Sequence, residues 1–236
     1  MTRPPELLLI DRTLACLKSL AACNPPAQSA LSNLAQYYDT KQYREPRHSF
    51  VNLSSLSRDE LFENAVASIS DKRLLGLREA LINAKDRLHW KVDDGGYYYR
   101  DADVGDAYKN GNVHALLIGP ENSVVQADDV LLGFFLLSPH TLYRDHRHVA
   151  PELYIPLTGP SGWRFDFGPW QDRQAGDVIY NPANKIHATR VDDIPFLSVF
   201  VWTNDIHERC DVVPSPDWAE IESLLQRSRK RPSEVT

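Results

Sequence analysis

Residues 140–159 read HTLYRDHRHVAPELYIPLTG, a stretch with the alternation and turn residues of two consecutive β-strands. His146 and His148 are two residues apart, so on a strand both imidazoles point to the same face. A turn follows, and the next strand begins at Glu152, whose face is shared by Tyr154. This pattern predicts two neighbouring strands that direct polar side chains to one site.

Residues 176–191 (GDVIYNPANKIHATRV) add a further histidine, His187, on a later strand. Three imidazoles and one carboxylate suit Zn, Fe, Mn, Co or Ni better than Ca or Mg, which prefer oxygen ligands. Burial of these polar groups among apolar strands is unfavourable unless their charge and hydrogen bonds are satisfied. The sequence therefore predicts one divalent transition-metal ion with four candidate ligands: His146, His148, Glu152 and His187.

Beyond residue 110 the chain consists of short apolar runs separated by turn residues such as Asn-Gly, Gly-Pro and Ser-Gly. The predicted strands are residues 113–118, 130–137, 153–157, 163–167, 178–180 and 197–202. Many short strands without helices between them are typical of an antiparallel sandwich or barrel. We therefore expect a β-barrel over 111–210, followed by a C-terminal helix and tail over 211–236.

Residues 1–110 instead carry leucines at helical spacing. Four apolar stripes predict four helices, with a break at the proline pair 25–26. Ser57 with Glu60 is typical of a capping box for the third helix, and Asp71 is placed to cap the fourth. Such stripes need an apolar surface to pack against. The predicted fold is therefore mainly β with α, a C-terminal barrel preceded by a helical layer that packs on it.

Composition and charge exclude several classes of function. The 236 residues have a formal net charge of -6, so no basic field attracts nucleic acid or an anionic membrane surface. No apolar stretch reaches membrane-spanning length. The three cysteines do not suggest a disulfide framework, and Cys16 and Cys23 are expected to be small core residues on one helical face. These features favour the cytoplasm, and they leave a homodimer open.

The two stretches resemble the two motifs of the cupin family, whose fold is a double-stranded β-helix, or jelly roll. The first motif is matched by His146-x-His148, three residues, Glu152, six residues and Gly159, and the second by Gly176, five residues, Pro182, four residues and His187. Three positions depart from the motifs: His140 and Asn184 where glycines are usual, and Val191 where an asparagine is usual. The ligand positions are kept, so the resemblance implies the same metal-binding set.

A longer set of residues resembles the cupin-type dimethylsulfoniopropionate (DMSP) lyases and lyase-like proteins, which also place helices ahead of the barrel: Tyr143, His146, His148, Glu152, Tyr154, His187 and Trp202. The resemblance implies a metal-dependent carbon–sulfur lyase that converts DMSP, a small carboxylate, to dimethyl sulfide and acrylate by β-elimination. The metal would bind the substrate carboxylate, with Tyr154 as general base. Tyr143 would assist or orient the substrate, and Trp202 would form a pocket wall for the sulfonium.

Two other functions remain open from the residues alone. Three histidines and a glutamate equally serve a metal cupin dioxygenase or isomerase acting on a small carboxylate. A non-catalytic cupin would bind its ligand without turnover.

The loop over 93–111 also allows two placements for its tyrosines. They form a lid over the mouth of the barrel, or they pack between the helical layer and the barrel. The tyrosines concerned are Tyr97, Tyr98, Tyr99 and Tyr108.

Overall fold

The computed structural model describes residues 3–40, 51–120 and 122–229, and it places an N-terminal helical layer on two facing β-sheets. This arrangement confirms the predicted fold class, a jelly-roll barrel preceded by helices. The helices in the described residues are α1 (Pro5–Leu20), α2 (Pro25–Thr40), α3 (Asp59–Ala67), α4 (Leu75–Ala84), α5 (Asp106–Gly111) and α6 (Trp218–Arg229). Within those residues, none of the helices has the length and apolar character needed to span a membrane.

Strands in the described residues form a seven-stranded and a five-stranded sheet. They are β1 (Trp90–Lys91), β2 (Asn112–Gly119), β3 (Val125–Gln126), β4 (Val130–Leu137), β5 (Thr141–Arg147), β6 (Glu152–Pro156), β7 (Ser161–Phe165), β8 (Gln171–Arg173), β9 (Ile179–Asn181), β10 (His187–Val191), β11 (Phe196–Thr203) and β12 (Asp211–Val212). The larger sheet has the order β1-β2-β4-β11-β6-β9, with β3 paired to β2, and the smaller has the order β12-β5-β10-β7-β8.

The larger sheet is buried on both faces, because alternate residues of its strands enter two different apolar layers. On β11, Leu197, Val199 and Val201 pack in the core that the sheet shares with the helices. Phe200 and Trp202 on the same strand point the other way, into the barrel interior. The helical layer thus covers the outer face and leaves the inner face free to build a site.

Two predicted helix caps are wrong. Ser57 ends a 3₁₀ turn with a φ of 54°, and the residue before α3 is Arg58, whose side chain makes no capping hydrogen bond. Asp71 lies in a turn ahead of α4, where it accepts the backbone N–H of Arg73 at 2.9 Å and pairs with that guanidinium. In both places the preceding turn sets the geometry, and it leaves the polar side chain without a capping role.

The predicted strand over 130–137 coincides with β4, whereas the one over 163–167 ends earlier. Asp166 and Phe167 have φ values of 48° and 59° and form the turn after β7.

The three cysteines are free, as expected, but Cys23 is exposed because α1 has already ended at Leu20. Its predicted place in the core is therefore wrong. The tail beyond Arg229 lies outside the described residues.

A buried ion pair attaches α6 to the strand that carries His146. Asp145, the preceding residue on β5, is fully buried and accepts hydrogen bonds from Arg164 of β7 and from Trp218 Nε1 of α6. Arg164 also pairs with Asp217 at 2.5 Å. Because side chains alternate along β5, this network supports the strand from the face opposite His146.

We expect Arg164→Met to lower the free energy of unfolding by about 3–5 kcal/mol, because it leaves Asp145 buried without its cation. Urea unfolding followed by circular dichroism measures the loss. The matched control, Arg73→Met, removes an exposed guanidinium (59% exposed) from Asp71 and should leave the free energy of unfolding almost unchanged. Equal losses in the two variants would contradict the special role of the buried pair.

Candidate metal centre

Three predicted ligands meet at one point inside the barrel. His146 on β5 and His187 on β10 are paired across the two strands, and His148 follows the last residue of β5. The three imidazoles are buried, and their ligand atoms all lie within 4.8 Å of one another. The fold therefore brings together the histidines that the two sequence stretches supply.

Backbone carbonyl groups orient all three rings. Each Nδ1 lies 2.7 or 2.8 Å from a carbonyl oxygen two residues away: His146 from Arg144, His148 from Ala150, and His187 from Lys185. A carbonyl oxygen only accepts hydrogen bonds, so each Nδ1 carries a proton. In the neutral rings the three Nε2 atoms then keep their lone pairs, which is the form that ligates a metal ion.

Glu152, the first residue of β6, completes the cluster. Its Oε2 lies 3.2 Å from His148 Nε2 and 3.3 Å from His187 Nε2. The buried Nε2 of His187 has no hydrogen-bond partner among the described residues. With Nδ1 protonated, the carboxylate and the Nε2 lone pairs face one another as acceptors, which is unfavourable unless a cation lies between them. The donor set therefore fits a divalent transition-metal ion.

Burial sets the charges in the cluster. Burial and then the neighbouring rings of His187 and His148 hold the pKa of His146 well below its usual range. Burial opposes ionisation of Glu152, but His148 and His187 nevertheless hold the pKa of that carboxyl well below its usual range. A neutral imidazole and an ionised carboxylate are the protonation states that metal binding requires.

Two side chains position Glu152 from neighbouring strands. Trp202 Nε1 donates to Glu152 Oε1 at 2.5 Å, and the indole stacks on His148 with ring centroids 4.3 Å apart. Asn181 Nδ2 donates to Oε2 at 2.8 Å. The sequence does not predict Asn181 as a site residue, although it directly precedes Pro182 of the second motif. Its role follows from the pairing of β9 with β6, which sets Asn181 opposite Glu152.

A cavity of about 60 Å³ adjoins Glu152 and Trp202. One water needs about 10–15 Å³, so a small ligand fits. Both predicted catalytic phenols, Tyr143 and Tyr154, line this cavity. The Tyr143 ring stacks on His146 with centroids 4.1 Å apart. Burial raises the pKa of both phenols well above the ordinary value.

The tyrosines of the 93–111 loop have three different placements. Tyr98 and Tyr108 are buried in the barrel interior, where Tyr98 Oη is hydrogen-bonded to Tyr143 Oη. Neither predicted placement describes these two, because the loop inserts into the barrel instead of covering it or lying against the helices. Tyr97 is half-buried at the cavity, and Tyr99 is exposed.

Asp93 and His114 also line the cavity, and neither is predicted from the sequence as a site residue. Asp93 lies in a loop without strand or helix periodicity, and His114 is one of several isolated histidines. No spacing rule marks either residue, so only the tertiary structure assigns them to the site.

Comparison with known sequences identifies the family of this chain. The sequence profile of the DMSP lyase family matches residues 56–198, more than half of the chain. The DMSP lyase DddQ of Ruegeria pomeroyi is 28% identical over 142 residues, which cover 60% of this chain and 67% of that relative.

Solved structures show the same fold. The crystal structure of DMSP lyase DddQ from Ruegeria pomeroyi has a TM-score of 0.66 at 20% identity, covering 90% of this chain and 98% of that one. A chain from the crystal structures of the DMSP lyases RdDddP and RnDddQII has a TM-score of 0.64 at 19% identity, covering 89% and 98%. At these identities the likeness shows the fold, and the sequence profile shows the family. The chain therefore belongs to the DMSP lyase family, on a cupin fold.

Proposed function

We propose that this chain is a metal-dependent lyase that cleaves the C–S bond of DMSP by β-elimination and releases dimethyl sulfide and acrylate. The observation that carries the proposal is the buried cluster of three imidazoles and Glu152 beside a small cavity whose lining includes the phenols of Tyr143 and Tyr154. Membership of the DMSP lyase family supports the choice of substrate.

The proposed ligands of the ion are His146, His148, Glu152 and His187. When bound, the ion withdraws charge from the substrate carboxylate and stabilises negative charge that develops on the α-carbon. Zn, Fe, Mn, Co and Ni all suit this mixed nitrogen and oxygen set.

Tyr154 is the proposed general base. Its Oη takes the proton from the carbon next to the carboxylate, and the electrons of that C–H bond form the new double bond. The C–S bond breaks, and its electron pair leaves with the sulfur as neutral dimethyl sulfide. A positioned base of this kind contributes about 10²–10⁴-fold to the rate.

Tyr143 and Trp202 have supporting roles in this proposal. Tyr143 orients the substrate from a fixed position, since its ring stacks on His146 and its hydroxyl is bonded to Tyr98. Trp202 forms the cavity wall next to the metal ligands and holds Glu152 through its indole N–H.

Metal removal is the direct test. We expect the purified chain to contain about one equivalent of a divalent transition metal and to release dimethyl sulfide from DMSP. Dialysis against a chelator should abolish the release, and one of the five candidate ions should restore it. Headspace gas chromatography and elemental analysis measure the two quantities.

Each other outcome points to a different function. Release that persists after complete metal removal would contradict the metal-dependent mechanism. A stoichiometric metal content without release of dimethyl sulfide would contradict the proposal that DMSP is the substrate. Oxygen consumption with strict iron dependence would then favour a dioxygenase, and ligand binding without any product would favour a binding protein.

A further inference from the structure

A buried carboxylate, Asp93, lies on the cavity wall without a cationic partner. It is 3% exposed, its Oδ2 accepts from Tyr108 Oη at 2.7 Å, and its Oδ1 accepts from the Gly95 N–H at 2.9 Å. Each carboxylate oxygen therefore has a hydrogen-bond donor within the protein. Among the residues that the structure describes, no Lys, Arg or His nitrogen lies within 4.0 Å of it.

The backbone of Asp93 is fixed in this position. Asn112, fully buried at the start of β2, donates from Nδ2 to the Asp93 carbonyl at 2.8 Å and accepts the Asp93 N–H at 2.7 Å. Asn112 Nδ2 also donates to the Tyr108 carbonyl at 2.8 Å, so one amide holds the carboxylate and the phenol that caps it. The carboxylate therefore cannot swing into solvent without breaking buried hydrogen bonds.

Two stacked phenol rings separate Asp93 from the histidine cluster. The Tyr143 ring lies on His146 with centroids 4.1 Å apart, and the Tyr108 ring lies on Tyr143 with centroids 4.5 Å apart. Tyr108 then donates to Asp93. The same cavity touches both Asp93 and Glu152. The metal-ligand end and the Asp93 end are therefore parts of one continuous cavity lining.

The charge of the cavity lining suits a cation at the Asp93 end. The described residues that line it include two carboxylates, Asp93 and Glu152, and no lysine or arginine. Burial lowers the pKa of the lining His114 to about 4, so that ring is neutral near pH 7. Tyr97 and Tyr98 add aromatic rings beside Asp93, and aromatic faces attract sulfonium and quaternary ammonium groups.

We propose that Asp93 is the specificity-determining residue that binds the cationic end of the substrate, while the histidine cluster takes the carboxylate end. This inference rests on the proposed function and deepens it. The site then selects zwitterions in which a short aliphatic chain separates a carboxylate from an onium group. Neutral carboxylates of the same shape bind more weakly than the zwitterions, because they gain no charge pair with Asp93.

Two pairs of isosteres test the charge alone. DMSP is compared with 4-methylpentanoate, and 3-(trimethylammonio)propanoate is compared with 4,4-dimethylpentanoate, since each pair differs in charge far more than in shape. Isothermal titration of the metal-loaded chain measures the affinities of the three ligands other than DMSP. Steady-state kinetics, with 4-methylpentanoate as competitor, measures KM and kcat for DMSP.

The wild type should prefer the ammonium ligand to its neutral isostere by about 30-fold or more, the scale of a buried charge pair. Asp93→Asn should reduce that preference to within a few-fold of unity and leave the affinity for the neutral isostere unchanged. KM for DMSP should rise by a similar factor. The matched control, Asp94→Asn, changes the exposed neighbouring carboxylate and should behave as the wild type.

Three results overturn the proposal: equal wild-type affinity within each pair, no binding of either ligand, or an unchanged preference in Asp93→Asn. Thermal unfolding of the variant with bound 4,4-dimethylpentanoate shows whether its site is intact. If the preference depends on Asp93 but DMSP is not cleaved, the cation site stands and the lyase proposal fails. If DMSP is cleaved equally well by Asp93→Asn, the lyase proposal stands and the cation site fails.

Discussion

His187→Ala is expected to lower the affinity for the metal by more than about 100-fold and to abolish release of dimethyl sulfide. Loss of a residue that only supports a ligand already costs about 10–100-fold, and His187 is a proposed ligand. Its Nε2 is buried, without a hydrogen-bond partner in the described chain, and 3.3 Å from the Glu152 carboxylate. No neighbouring side chain that the structure describes is hydrogen-bonded to this nitrogen. We therefore expect no other side chain to take over its ligand position in the variant.

Elemental analysis of the purified variant measures the first effect, and the headspace assay measures the second. A melting experiment separates metal binding from folding, because metal should raise the melting temperature of the wild type and not that of His187→Ala. His207→Ala is the control: its ring is exposed and its Nε2 lies 2.9 Å from the Asp128 carbonyl. A variant that lacks His187 but keeps stoichiometric metal would remove this residue from the ligand set.

The histidine cluster could be predicted from the sequence because strand periodicity is a short-range rule. His146 and His148 are two residues apart, and so are Glu152 and Tyr154, which makes each pair share a face. The same rule places Trp202 on the inner face of β11, and the pairing of β11 with β6 sets it opposite Glu152. Alternation does not predict the hydrogen bond from Trp202 Nε1 to Glu152, because that bond depends on the register between two strands distant in sequence.

The cavity-lining residues of the 93–111 segment, Asp93, Tyr97, Tyr98 and Tyr108, could not be predicted in the same way. Residues 93–105, ahead of α5, have no helical or strand period, so nothing local determines their path. Their position depends on distant contacts: Asn112 holds Asp93, and Tyr98 forms a parallel bridge with Cys210. The two wrong caps have a related cause, since Ser57 has a suitable side chain for a cap but a left-handed backbone. Residue type predicts which side chains prefer a helix-cap position, and the tertiary structure determines whether the backbone there adopts the conformation that a cap requires.

Tyr154→Phe should lower kcat by about 10²–10⁴-fold and leave the metal content unchanged, because it removes only the proposed base. Stability should change little, since the ring keeps its contacts with Trp163, at 5.2 Å between centroids, and with Phe200, at 6.4 Å. Burial and then the charge of Glu152 raise the pKa of Tyr154 well above its ordinary value. Its phenolate form therefore needs a positive charge nearby, which is what an ion in the histidine cluster supplies.

Comparison with Tyr143→Phe separates chemistry from positioning. Tyr143 is bonded to Tyr98 and stacked on His146, so its loss should raise KM more than it lowers kcat. Tyr99→Phe, at an exposed ring, controls for loss of a phenol as such. If Tyr143→Phe loses kcat and Tyr154→Phe keeps it, the two roles are exchanged. If both variants keep kcat, neither Tyr143 nor Tyr154 is the base. If Tyr154→Phe lowers kcat and changes neither stability nor metal content, the two parts of this side chain have separate roles. The ring packs in the core, and the hydroxyl transfers the proton.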